Sequence, residues 1–141
     1  MRPSACLRAL ALLALAPSVA LAAEQAGVSA AVRGEVVLAR AQAAGNPVRS
    51  GEPVFMQDLL RSGPNSGMQL MLLDETTFTI GPESEIVVDE FVYDPSTGRG
   101  ELGARVVKGV FRFVTGRIAK EDSGNVNVAL PSGNIGVRGT I

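Results

Sequence analysis

The 141 residues contain no histidine, and the single cysteine, Cys6, lies near the N-terminus. That composition removes Ser-His and Cys-His nucleophile systems and the usual zinc ligands. Hydroxyl and carboxylate oxygens remain. Ser66 and Ser84 each end a Gly-Pro-x-Ser turn, where a hydroxyl is expected to cap the local backbone. Asp74-Glu75 lies between two apolar runs and reads as a solvated hairpin turn. Asp89 and Glu90 are neighbours in a strand-like segment, so their side chains are expected on opposite faces, unable to act as a carboxylate pair. The loop Asp94-x-Ser96-Thr97-x-x-x-Glu101 has the oxygen ligands to hold calcium, but it lacks the 12-residue EF-hand spacing. The six aromatics (Phe55, Phe78, Phe91, Tyr93, Phe111 and Phe113) sit on strand-like segments and are expected in the core. No catalytic, cofactor-binding or metal-binding residue is assigned, no cofactor is expected, and an enzyme is not expected.

The elements that would carry these residues are strands. Val28, Ala30 and Val32 alternate with Ser29, Ala31 and Arg33 up to Gly34, a period of two. Val36 and Leu38 share a face. Gly45-Asn46-Pro47 signals a turn. Pro53 marks the start of a short strand with Val54, Met56 and Leu59. From Met68 to Leu73 nearly every residue is apolar, which predicts burial on both faces. Thr76, Phe78 and Ile80 form the next strand, and Ile86–Tyr93 another. Leu102, Ala104 and Val106 alternate up to Gly109, a bulge or corner signal. Phe111 and Phe113 share a face. Residues 119–124 read as a polar loop. Val126, Val128 and Leu130 alternate, Pro131–Asn134 turns, and a last strand opens at Ile135. Gly63-Pro64-Asn65-Ser66 and Gly81-Pro82-Glu83-Ser84 are 18 residues apart, so one supersecondary unit is used at least twice. The expected fold is all-β, a twisted stack of short strands and hairpins, solenoid-like or sandwich-like.

Residues 1–22 read as a signal peptide. Arg2 and Arg8 form the basic region, Ala9–Ala16 the apolar core, and Ala20-Leu21-Ala22 the cleavage pattern, leaving Ala23 first. Cys6 precedes the apolar core and leaves with it. The apolar run falls well short of the ~20 residues a spanning helix needs, and no later segment could span either. Residues 23–141 then form one domain with 11 basic against 14 acidic residues. The balance and interspersion of charge argue against a nucleic-acid partner.

Three patterns in order resemble the FecR domain of bacterial envelope proteins. They are Gly51-Glu52-Pro53-Val54 with Asp58-Leu59-Leu60-Arg61-Ser62-Gly63, then Leu70 to Ser84, then Pro131 to Thr140 with Ile135-Gly136-Val137-Arg138-Gly139-Thr140. The resemblance covers about residues 27 to 141. It implies a periplasmic, non-catalytic sensing or protein-interaction module linked to iron(III) dicitrate-type envelope signalling. An envelope protein or outer-membrane transporter is the implied partner. The family's regulators also carry a cytoplasmic segment and a transmembrane helix. Here a signal peptide stands in their place, so control of a sigma factor by this polypeptide does not carry over. The resemblance also predicts that the domain continues past Ile141. Two other readings are a carbohydrate- or peptidoglycan-binding module and a calcium-dependent structural module. Arg138, between Gly136 and Gly139 and next to Val137, is expected to pair with a carboxylate such as Asp58, Asp74 or Asp89.

Overall fold

A computed structural model describes residues 24–40 and 45–136. It is all-β, 58% strand and 7% helix, in two open sheets. The strands are β1 (Gln25–Arg33), β2 (Val36–Ala39), β3 (Asn46–Pro47), β4 (Pro53–Phe55), β5 (Leu59–Ser62), β6 (Gly67–Leu72), β7 (Thr77–Ile80), β8 (Glu85–Tyr93), β9 (Gly100–Lys108), β10 (Phe111–Val114), β11 (Val126–Leu130) and β12 (Gly133–Gly136). One sheet runs β10-β7-β6-β1-β4 and the other β12-β11-β9-β8-β5-β2-β3. Neighbours are antiparallel except β9 and β11. Leu70, Leu72, Phe78 and Ile80 from the first sheet join Leu60, Ile86, Val88, Leu102, Val106 and Val128 from the second in one buried cluster. The core therefore lies between the sheets, and each such side chain contributes about 1.5–3 kcal/mol by leaving water.

The 18-residue repeat marks where the chain changes sheet. Gly63–Ser66 carries it from β5 to β6, and Gly81–Ser84 from β7 to β8. Each turn places proline first and a left-handed residue second, Asn65 (φ 50°) or Glu83 (φ 51°), the arrangement of a type II turn. The serine that follows is buried and reaches a second corner. The Ser66 hydroxyl donates to the Pro64 carbonyl (2.9 Å) and accepts from the Glu35 amide (2.9 Å) at the β1–β2 crossing. The Ser84 hydroxyl donates to the Pro82 carbonyl (3.0 Å) and accepts from the Val110 amide (2.9 Å) at the β9–β10 crossing. Ser62 ties the two repeats together. Its hydroxyl donates to the Gly81 carbonyl (2.6 Å) and accepts from the Ser84 amide (3.0 Å). At the outer two crossings Gly34 (φ 74°) and Gly109 (φ 97°) lie against Ser66 and Ser84, where a Cβ would collide with the serine. The serines thus cap local backbone, as expected, and also bond the four corners into one rim.

Several expectations change. β1 carries a bulge between Ser29 and Ala31, so Ser29 is buried while Ala30 and Ala31 face outward. Strict alternation fails because the extra residue reverses the phase. The strand opened by Pro53 ends at Phe55. Gln57 (φ 69°) turns the chain, and Leu59 begins β5. Asn46–Pro47, read as a turn, forms a two-residue edge strand on β2. Only one face of β6 is covered, since Met71 is 42% exposed and Leu73 52%. Residues expected in a polar loop instead form helix α1 (Arg117–Glu121) and a 3-10 turn, Ser123–Asn125. Five residues are too few to show a helical period. Of the last strand, Gly133–Gly136 is described. Arg138 and the rest of 137–141 lie outside the described residues, as do 1–23.

Candidate functional site

Asp74, expected to be solvated, is fully buried. Its Oδ1 accepts from the Thr76 amide (3.0 Å), and its Oδ2 accepts from the Thr76 hydroxyl (2.7 Å) and the Ile118 amide (3.3 Å). The Asp74 carbonyl accepts from the Arg117 amide (2.8 Å). The Thr76 hydroxyl accepts from the Gly116 amide (3.1 Å). One turn residue therefore satisfies the first amides of α1 and docks it on the β6–β7 hairpin, which explains why so short a helix forms. Next to it, exposed Glu75 pairs with Arg117 at 3.4 Å. Glu75 and then Tyr93 raise the pKa of that guanidinium.

Asp58 is the second buried carboxylate. Arg40 donates to it through two parallel bonds of 2.9 Å, and the Phe55 amide through a third of 2.9 Å. The guanidinium lies 4.6 Å from the Phe55 ring centre, and the bonds to Asp58 raise its pKa. Asp89 meets Arg105 at 3.4 Å. The three carboxylates considered for Arg138 thus have these partners among the described residues.

The bulge between Val88 and Glu90 also overturns the reading of Asp89 and Glu90. Asp89 reaches Arg105 and Glu90 reaches Glu101, both on the outward side of β9. A hydrogen bond that Glu90 can make to Glu101 when protonated, and then repulsion between the two charges, raise the Glu90 pKa. This cross-strand pair depends on register and has no local signature in the sequence. In the loop, Asp94 Oδ1 accepts from the Ser96 amide (2.9 Å) and hydroxyl (2.6 Å). These bonds lower the Asp94 pKa and tie Oδ1 into the local turn. Glu101 faces Glu90 instead of that loop. No cluster of three or more metal-ligating side chains occurs among the described residues. Phe78 and Phe91 are buried in the core, and Phe111, Phe113 and Tyr93 pack half-buried against it. Phe55 is half-buried beneath Arg40.

The two outward faces differ in chemistry. On the seven-stranded sheet Glu85 takes Arg61 at 2.7 Å and Lys108 at 3.7 Å, beside the Asp89–Arg105 pair. On the five-stranded sheet one row reads Val28, Met71, Thr77, Val114 and the next Ala31, Gln69, Thr79, Arg112. Beyond them Arg33 stands opposite Gly67, and the Gly81 amide donates to the Val110 carbonyl (2.8 Å). These rows hold no acid. The two glycines leave a groove of about 360 Å³, bordered by Arg33, Gln69, Thr79 and Pro82. Gly67 must be glycine, since a Cβ would lie 2.8 Å from the Ile80 carbonyl oxygen.

The arrangement is that of an all-β module whose buried polar side chains hold corners and turns. The FecR protein family model matches residues 58–141, and the chain belongs to that family. The FecR family is a signalling and regulatory one rather than a family of enzymes. No curated protein and no solved structure matches the chain. Among the described residues no helix is long and apolar enough to cross a membrane.

Proposed function

We propose that this chain is a non-catalytic FecR-like module of the periplasm that binds an envelope protein and takes part in signalling of the iron(III) dicitrate type. The family match over residues 58–141 carries this reading. The buried polar groups agree with it: Asp58, Ser62, Ser66, Asp74, Thr76 and Ser84 are all engaged in holding the backbone or α1. The segment 1–22 would direct export and be removed after Ala22. A sugar-binding role is less well supported, since no aromatic ring is among the large exposed apolar side chains. A calcium role is less well supported, since no cluster of three or more metal-ligating side chains occurs among the described residues. Two measurements test the proposal. N-terminal sequencing of the exported chain should begin at Ala23, and its deletion should alter expression of iron-uptake genes when ferric citrate is supplied. An uncleaved chain would refute export, and unchanged expression would refute the signalling link.

A further inference from the structure

We propose that the outward face of the five-stranded sheet docks a protein partner whose contact strip carries carboxylates around an apolar centre. This rests on the reading of the chain as an interaction module and assigns the surface and the partner chemistry. The face combines exposed Met71 and Val114 with small and polar residues, Ala31, Thr77, Thr79 and Gln69. Short side chains on a strand lose little rotamer freedom when covered. Its charged groups are Arg33 and Arg112, neither of which joins an ion pair among the described residues. Arginine among apolar residues is the composition enriched at protein contacts. Three strand spacings in the sheet order, about 14 Å at the usual ~4.8 Å each, and two residues along the strands, about 7 Å, set Arg33 and Arg112 about 16 Å apart at the backbone. A partner strip with acids that far apart would meet both guanidiniums, and an apolar side chain between them would enter the groove over Gly67 and Gly81.

Charge selects this occupant over two others. A second copy related by a twofold axis would set the arginine-bearing face against itself, with no acid to answer it. An anionic membrane surface rewards basic residues by only about 1 kcal/mol each, and two arginines on a flat face supply little.

The test places photoreactive p-benzoylphenylalanine in the full chain, in the cells that make it, at Gln69 or Thr79 and, on the other sheet, at Val92 or Val107. Crosslinked peptides are sequenced. Gln69 and Thr79 should mark one protein segment containing Asp or Glu. Arg33→Glu with Arg112→Glu should lower that yield about tenfold, and Arg105→Gln should leave it unchanged. If the double reversal unfolds the chain, Arg33→Gln with Arg112→Gln should still lower it about threefold. Products only from Val92 or Val107 would overturn the docking face and leave the interaction-module reading standing. No product from either face would overturn both. Crosslinks indifferent to the arginines, or crosslinks to a second copy, would overturn the partner chemistry. So would charge-dependent flotation of the purified chain with vesicles of phosphatidylethanolamine and phosphatidylglycerol.

Discussion

The outward faces of the two sheets follow opposite plans. On the seven-stranded sheet Arg61, Glu85 and Lys108 interlock across β5, β8 and β9, and Asp89 pairs with Arg105 beside them. Exposed Val92 and Val107 lie on the same sheet. On the five-stranded sheet the outward rows contain two arginines and no acid. On the first face Arg61, Arg105 and Lys108 have acidic partners, whereas on the second Arg33 and Arg112 have none among the described residues. Both cover one core, so the difference is not about burying apolar area. It separates a surface that pairs its cations from one whose arginines remain available to a partner's acids under the proposed docking.

The bare face takes its shape from what lies behind it and at its ends, and the largest effect is expected there. Asp74→Ala removes the acceptor for the amides of Thr76 and Ile118. Buried donors left unsatisfied cost about 1–3 kcal/mol each, so a loss of about 3 kcal/mol in urea unfolding is expected. Amide signals of β6, β7 and α1 should shift while those around Glu85 stay in place. Equal disturbance of both faces would show that the sheets are not anchored separately.

Next in size is the ion-paired face. Glu85→Gln removes the carboxylate shared by Arg61 and Lys108. Exposed pairs contribute about 0.2–1 kcal/mol each, and Glu85 is only 13% exposed, so a loss of about 1 kcal/mol is expected. Repeating the melt in 1 M salt should shrink the difference, because such pairs are screened. A cost that does not change with salt would mean that packing, not charge, holds this face.

Arg112→Gln should do less still. It breaks no ion pair among the described residues, and exposed substitutions of this kind usually stay within about 0.5 kcal/mol. A loss as large as that of Glu85→Gln would erase the contrast between the faces and make Arg112 a stabilising residue.

Much of this frame is legible in sequence. Leu102, Ala104 and Val106 alternate and are buried as expected, Gly109 makes a corner, and the two Gly-Pro-x-Ser turns mark real crossings. Legibility fails where an extra residue or a distant partner decides. The bulges in β1 and β8 reverse the side-chain phase without changing composition, which hid the buried position of Ser29 and the outward position of Glu90. Helix α1 exists because Asp74, 44 residues before Ile118, receives its amide. The acid-free face follows from strand order, which places β10 beside β7 and β1 beside β6. No local window in the sequence contains that information.

The smallest effect concerns a like-charged contact on the ion-paired sheet. Glu90 faces Glu101, and their hydrogen bond and mutual repulsion raise the Glu90 pKa above the ordinary carboxylate value. The folded chain therefore holds this proton more tightly than the unfolded chain does. Between the ordinary value and the raised one the native state binds more protons, so stability must fall as pH rises through that window. Asp94 acts in the opposite sense. Its bonds to Ser96 lower its pKa, so its contribution is present above the ordinary carboxylate value and is lost as pH falls through the lowered one. The two windows lie on opposite sides of the ordinary value and can be separated in one titration. Both groups are exposed to solvent, so each change in melting temperature should be small. Glu101→Gln should flatten the decline above the ordinary carboxylate value and leave the acid-side loss intact, whereas Asp94→Asn should do the reverse. If Glu101→Gln leaves the decline in place, the Glu90–Glu101 contact is not its source. The seven-stranded face would then be balanced at this contact as well.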